Sequence, residues 1–547
     1  AGNDILLLPQ NIEAAINEIK KAVETGLIPE SLIEQKCRKI LTYKQRYVVN
    51  QSRETEPDSI PYHLNSFRNE LLERKIIEQA ITVLTNQNEM VPLQAFDTLK
   101  MASVSIGSPE ITPFQEMLSN YSRISHFNIL KEFTKNEKRK LLKKLSDYNL
   151  VIVGIHNTTI FPRADFGINP ESLLLAEEIA DSITAVLALF ASPYSLGMLK
   201  NPEKYKSIIL AHQDTRTANE LCAQIIMGSS EATGLLPVTV NKDFSIYEGI
   251  KTTSLNRLGY AIPEEAGIKR EDLEPIDRLV LESIADEATP GCQVLVAVDG
   301  KVIYQKAFGY HTYSKGNFVK NTDIYDLASI TKIAATTLGI MKLYDNRKLD
   351  IDHRLVWYLP FLNGTNKENM IIREVMAHQA KLKPWIPFYL NTLDKTGKPD
   401  KRIYTDRIDE WHSIKVADNI YIDKNYEFTL FDSIVSSDLR KKREYKYSDL
   451  GFYLLKKSLE NLTNKPLDKY VEEEFYRPLG LQYTGFNPLE KFKRNKIVPT
   501  ENDDYFRHQL IHGYVHDPGA AMIGGISGHA GLFGNANDMA ILMQMLL

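Results

Sequence analysis

From residue 101 to residue 227 the chain alternates short runs rich in Val, Ile and Leu with longer amphipathic stretches, and this alternation limits the fold more than any other feature. The runs at 101–106, 150–155, 184–190 and 207–211 have the length and composition of strands. The stretches at 135–145, 171–183 and 214–227 read as helices, and Thr134 followed by Glu137 makes a capping box at the start of the first. Strands that alternate with helices predict a mainly parallel α/β layer structure.

The chain has 547 residues, against roughly 150 for one domain, so it divides into two to four folded units. A composition of 43% hydrophobic and 25% charged residues excludes collagen-like, low-complexity and wholly disordered classes. The apolar stretch at 183–191 is too short to cross a bilayer, so no transmembrane span is expected. Lys and Arg total 66 against 70 Asp and Glu, a net charge of −4 that provides no general basic field for nucleic acid or an anionic membrane. A small or neutral molecule is the expected partner. Cys37, Cys222 and Cys292 are odd in number, far apart and free of C-x-x-C spacing, so they predict neither a disulfide nor a zinc site and read as core residues.

The opening segment reads as a strand at 4–8 and helices at 12–24 and 32–45. The first helix carries Ile12, Ala15, Ile16, Ile19 and Val23 at helical spacing. One strand and two helices cannot bury a core alone, so this reads as the end of a larger domain, and the absence of a Met and basic start suggests that the chain begins inside a longer protein. The polar stretch at 52–65, with Pro57 and Pro61, reads as a linker. A further unit begins near Gly267, with strands at 294–298 and 302–307 joined through Asp299-Gly300, a hairpin signal. A helix follows from about Ala328 and another at 450–462.

Ser329-Ile330-Thr331-Lys332 is the one S-x-x-K in the chain. A Ser at a helix start lies near unpaired backbone N–H groups, and a Lys one turn on shares its face and can help activate it. Ile330, Ala334, Leu338 and Met341 would face a core. Taken alone, the tetrad also suits a capping Ser with an exposed Lys. Tyr447-Ser448-Asp449 precedes the second helix, and a Tyr there can take the Ser proton. Taken alone it also suits a half-buried Tyr before a helix capped by Ser448 or Asp449. Together, in this order, the two motifs are much rarer by chance than either one alone.

With Pro290-Gly291-Cys292-Gln293-Val294-Leu295-Val296, Asp326 to Lys332, Ala377-His378-Gln379-Ala380 and Gly528-His529-Ala530-Gly531-Leu532-Phe533, the chain resembles the serine penicillin-recognition family of class C β-lactamases, D-alanyl-D-alanine peptidases and related esterases. The resemblance implies Ser329 as the acylated nucleophile, Lys332 as its proton partner and Tyr447 as general base. It also implies an oxyanion hole that includes the Ser329 N–H. Two departures matter. Asp449 stands where the family commonly has Asn, which argues against β-lactam turnover and leaves Asp449 a candidate substrate contact. Lys395-Thr396-Gly397 matches the letters of the family's third motif but precedes Tyr447 in a polar run and reads as a surface turn. His529 can line the pocket or hold a turn. The true third motif is expected beyond the chain, which would leave the 294–307 hairpin with an open edge.

Ala1 to Leu7, Val23 to Ile28, Cys37 to Lys44, Gly234-Leu235-Leu236-Pro237-Val238 and Arg257-Leu258-Gly259-Tyr260 resemble family 3 glycoside hydrolases of the β-N-acetylglucosaminidase type, whose catalytic groups would lie upstream. Asp4 is a tempting nucleophile but equally a capping residue, and His156, Arg163 and Asp165 form a polar loop at a strand end. Arg440 to Arg443 reads as a solvated loop. Gly513 between His512 and His516 argues against a shared metal.

The expected fold is therefore multidomain α/β and α+β. It comprises the end of a (β/α)8 barrel at 1–50, a linker at 51–68, an α/β sandwich at 69–262 and a penicillin-recognition domain at 267–547. The expected function is a serine acyl hydrolase fused to a glycosidase part, acting on a small molecule or cell-wall glycopeptide in the cell envelope or periplasm, with no cofactor, metal or nucleic acid. The alternatives are a β-N-acetylhexosaminidase and a non-catalytic binding module.

Overall fold

In the computed structural model, which describes residues 3–49, 57–64 and 66–547, the alternating segment builds a six-stranded sheet. Its strands are β1 (Thr82–Asn86), β2 (Met101–Ile106), β3 (Ile124–Ile129), β4 (Leu150–Ile155), β5 (Thr184–Leu189) and β6 (Ser207–Leu210), in the order β1-β6-β5-β4-β2-β3. All neighbours are parallel except β1 with β6. Successive residues feed opposite faces, as the strand period requires: Leu150 and Ile152 join one core, while Val151, Val153 and Ile155 join the other. The helix Lys135–Leu145 starts on the capping box of Thr134 and Glu137.

The next unit grows directly on this layer. β7 (Gly259–Tyr260) pairs in parallel with β9 (Lys301–Gly309), which pairs antiparallel with β8 (Gly291–Val298). Asp299 and Gly300, with φ of 49° and 74°, form the two-residue turn, both in the left-handed region that a hairpin of this length demands. β8 has no second neighbour among the described strands. Tyr260 and Val302 enter the core beneath β2 and β4, so the hairpin and the α/β layer share apolar packing. The Gln224 side chain donates to Tyr260 O at 2.9 Å and accepts from Tyr260 N at 2.8 Å, closing the seam. Residues 71–547 form one compact unit and residues 1–70 another.

A separate core fills the rest of the C-terminal half, with Leu338, Leu343, Leu450, Leu454, Leu455, Leu459 and Phe533 buried together. A small sheet runs β10 (Tyr325–Asp326), β12 (Leu532–Gly534), β11 (Gly485–Phe486). It joins the start of the S-x-x-K segment to the G-H-A-G-L-F segment.

Several local expectations change. Residues 4–8 form no strand; without a ladder partner their side chains Leu7 and Leu8 stay exposed. The helices Ile12–Glu24 and Glu30–Lys44 form, but neither buries a residue. The linker expectation falls partly on residues outside those described; its described part holds short helical turns, Pro57–Ser59 and Ile60–Leu64. Of the cysteines only Cys222 is buried, Cys37 being exposed and Cys292 half-buried. Ala334 and Leu338 face the core, whereas Ile330 and Met341 are exposed. Residues Lys332–Thr337 wind as a π-helix, whose wider turn breaks the four-residue stacking on which that expectation rests.

Candidate active site

Ser329 sits on an exposed turn between β10 and the π-helix. The residue before it, Ala328, has φ of 45°, a left-handed conformation that a side chain rarely adopts. Asp326 holds it there: one carboxylate oxygen accepts from Ala328 N at 2.8 Å and the other from His516 N at 2.6 Å. Burial raises the Asp326 carboxyl above its ordinary range, against the pull of those N–H groups. Thr331, wholly buried, donates to Ala328 O at 2.6 Å and accepts from Leu532 N at 3.0 Å. The strained turn is thus stitched to β12 by a side chain that no sequence motif marks for the task.

Lys332 is buried and has three acceptors around its ammonium: Ser329 Oγ at 2.9 Å, Asp449 Oδ1 at 2.7 Å and His529 O at 3.3 Å. That number matches its three N–H bonds. Its Nζ also lies 4.6 Å from the centre of the Tyr447 ring, and Phe452 flanks it at 5.7 Å. Tyr447 therefore meets Lys332 through its ring face, and no hydrogen bond joins its hydroxyl to Ser329 or Lys332 among the described residues. The Ser329 N–H likewise has no acceptor there.

Tyr447-Ser448-Asp449 is held from below. Ser448 N donates to His378 Nδ1 at 3.1 Å, Ser448 Oγ to Lys383 O at 2.6 Å, and Asp449 N to Pro384 O at 2.8 Å. The His378 ring packs 4.5 Å from that of Tyr447. Burial, then the nearby Lys332 charge, hold His378 below its ordinary value, so it accepts from Ser448 as a neutral ring.

His529 is buried, with Nδ1 at 2.8 Å from Ser527 Oγ, Nε2 at 3.0 Å from Asp517 and its ring 4.4 Å from Tyr453. Burial pushes the Asp517 carboxyl up, but His529, the Ala520 N–H and His516 together bring it down to about 2. The structure thus gathers Ser329, Lys332, Tyr447, Asp449 and His529 from segments that are far apart in the chain. His378, Thr331 and Asp517 complete the cluster; the sequence signal for His378 is its place in the Ala377–Ala380 stretch.

The other candidates stay apart. Asp4 pairs with Lys36 at 2.9 Å and with Lys39 at 2.5 Å, which lowers its carboxyl. His156 is buried against Phe190 and bonds Asp214 at 3.2 Å, whereas Arg163 and Asp165 are exposed on the following loop. Lys395 to Gly397 forms a turn tied by Asp394 to Thr396 N and Lys398 N. His512 bonds the carbonyls of Arg494 and Ile497, and His516 pairs with Glu501 at 3.1 Å. Arg440 pairs with Glu444 and Arg443 with Glu374.

A buried Lys bonded to an exposed Ser thus sits on a turn held by Asp326 and Thr331, beside the Tyr-Ser-Asp segment. The β-lactamase family model matches residues 276–547, and this C-terminal half of the chain belongs to that family. An N-acetylmuramyl-L-alanine amidase of Bacillus subtilis (strain 168) is 33% identical over 311 residues, covering 52% of this chain and 65% of the relative. An Escherichia coli (strain K12) protein described as a candidate D-alanyl-D-alanine carboxypeptidase is 34% identical over 310 residues, covering 52% and 66%. The chain thus spans just under two thirds of the length of these relatives. A family 3 β-N-acetylglucosaminidase from Paenibacillus sp. str. FPU-7 is 22% identical with a TM-score of 0.31, covering 42% of this chain and 43% of that one. No described helix is long and apolar enough to cross a membrane.

Proposed function

We propose that the C-terminal half is a serine acyl hydrolase and that Ser329 is its nucleophile. Ser329 Oγ bonds the carbonyl carbon of an ester or amide, the C–O or C–N bond breaks, and the leaving group departs with a proton. Water then releases the acyl group and restores the hydroxyl. Lys332, aimed by Asp449 and the His529 carbonyl, stabilises the serine oxygen as charge develops on it, and the free Ser329 N–H is one oxyanion donor. Tyr447 carries the proton when substrate draws its hydroxyl into reach, since such contacts tighten on binding.

The observation that carries this reading is the 2.9 Å bond from buried Lys332 to exposed Ser329. The names of the relatives support cell-wall glycopeptide as substrate and the envelope as location, and the motifs in residues 1–262 support a fused family 3 glycosidase part. Asp449, already paired with Lys332, favours acyl substrates other than β-lactams. The test is intact-mass spectrometry after a fluorophosphonate and, separately, a penicillin. A fluorophosphonate adduct mapped to Ser329 and lost in Ser329→Ala supports the reading. No adduct on the folded protein turns it into a binding module.

A further inference from the structure

Two arms of the candidate site lead back to one short segment. The His516 N–H donates to Asp326, whose other oxygen holds the Ala328 N–H beside Ser329. The next residue, Asp517, bonds His529 Nε2 at 3.0 Å, and the His529 carbonyl accepts from Lys332 at 3.3 Å. A shift of residues 516 and 517 therefore disturbs the serine turn and the lysine together.

Arg507 fixes that segment. Its Nη1 donates to Val515 O and its Nη2 to His516 O, both at 2.7 Å, and neither carbonyl has another donor among the described residues. Nε donates to Asp503 Oδ2 at 2.7 Å, and both side chains are wholly buried. Asp503 is itself set by the N–H groups of Phe506 at 2.8 Å and Tyr505 at 3.2 Å. Glu501 lies 3.5 Å from Nη2 and 3.1 Å from His516 Nε2, which links the His516 ring to the same guanidinium.

This arrangement aligns backbone. A guanidinium is a rigid planar fork, so two bonds to successive carbonyls fix the direction of the chain between them, which a point charge on a flexible stem does not. A buried ion pair adds little net stability over an apolar pair of similar volume, so stability alone is a weak reason for one here. Arg507 is buried away from any ligand and reaches the reacting oxygen through the 515–517 backbone.

We propose that Arg507 is a positioning residue for acyl transfer, aiming the His516 N–H at Asp326 and the Asp517 carboxylate at His529. The proposal rests on the acyl-hydrolase reading and adds to it a residue remote from every motif of the site.

The test compares the whole chain with Arg507→Lys and with the double variant Arg507→Met, Asp503→Asn. Lysine keeps the charge but not the fork. The double variant removes both members of the buried pair and keeps an acceptor for Phe506 N, so it should fold even if the lysine variant does not. Fluorophosphonate labelling of Ser329 is followed against reagent concentration. In both variants the limiting rate constant should fall roughly tenfold while the half-saturating concentration stays within about threefold. Loss of stability alone lowers the fraction of protein that labels, not the rate constant of the folded fraction. Lys367→Met removes another buried cation, one that bonds Val435 O at 2.9 Å and Ser437 O at 2.6 Å. It should keep the limiting rate constant within about threefold of wild type. An unchanged limiting rate constant in the folded Arg507 variants, or an equal fall in Lys367→Met, overturns the proposal. Hydrogen exchange at the Ala328 and His516 N–H groups is read separately by mass spectrometry and should speed up roughly tenfold or more in both Arg507 variants. Wild type that does not label, with those amides loosened in the variants, would defeat the hydrolase reading alone. Wild-type labelling that the variants match, with amide exchange unchanged, would defeat the positioning role alone.

Discussion

Thr331 is the side chain on which the geometry of the Ser329 turn depends, and Thr331→Val tests this with almost no change of shape. The hydroxyl makes two bonds in a fully buried position, one to Ala328 O at 2.6 Å and one from Leu532 N at 3.0 Å. Ala328 O keeps the Thr331 N–H at 3.1 Å, so its loss is one bond, about 1 kcal/mol. Leu532 N is left in the core without an acceptor, which costs about 1–3 kcal/mol, and the added methyl returns about 0.8 kcal/mol. The balance is a destabilisation of about 2 kcal/mol in the denaturant-induced unfolding of the C-terminal half. The functional effect should be larger than for a remote site of equal cost, because the turn released holds Ala328 at φ 45° and Ser329 beside it. Fluorophosphonate labelling should slow by roughly tenfold or more, the equivalent of about 1.4 kcal/mol in the barrier. Thr331→Ser retains both bonds and should label within about threefold of wild type, its stability falling by roughly 1 kcal/mol for the lost methyl. A valine variant that labels at the wild-type rate and unfolds within about 0.5 kcal/mol of wild type would refute the reasoning.

Asp449→Asn keeps an acceptor beside Lys332 but removes the charge, and a charge-assisted bond worth about 1.5–3 kcal/mol predicts labelling of Ser329 slowed roughly tenfold; an unchanged rate removes Asp449 from the positioning of Lys332. The Asp517 carboxyl, ordinarily 3.8, lies at about 2 in the fold, so its contribution is present above about pH 4 and lost as pH falls towards 2. Wild type should therefore exceed Asp517→Asn in stability at pH 5 to 7, and the gap should close near pH 2. A gap that persists there counts against the pairing with His529. Burial lowers His126, set between Ser103 Oγ at 2.7 Å and Ser119 Oγ at 2.6 Å, to about 4 from 6.5. The unfolded chain binds its proton first on acidification, so stability should decline as pH falls from about 6.5 to 4 in wild type but not in His126→Gln, as denaturant titrations across that range would show.

Local features of the chain are legible without the fold. Strands β2, β4, β5 and β6 of the α/β layer, the Thr134–Glu137 box and the Asp299-Gly300 turn are written in stretches of six or so residues, where backbone sterics and side-chain period decide the outcome without help from elsewhere. The S-x-x-K and Tyr-Ser-Asp motifs are legible for the same reason, as spacings within one turn of chain. The departures share an opposite cause. Helical spacing assigns Ile330 and Met341 to a core face, a period that the π-turn does not keep, and residues 4–8 lack the neighbouring strand that would make them one.

The chain alone thus determined four of the six strands of the α/β layer, the capped helix and the hairpin turn, and the spacing of the S-x-x-K and Tyr-Ser-Asp motifs. Tertiary structure decided that Lys332 meets Asp449 and the carbonyl of His529, that Tyr447 presents its ring, and that Thr331 anchors the turn to Leu532. Those contacts join positions as far apart as 201 residues. No local rule of spacing governs which such residues meet; the packing of the buried core around Leu338, Leu450 and Phe533 brings them together.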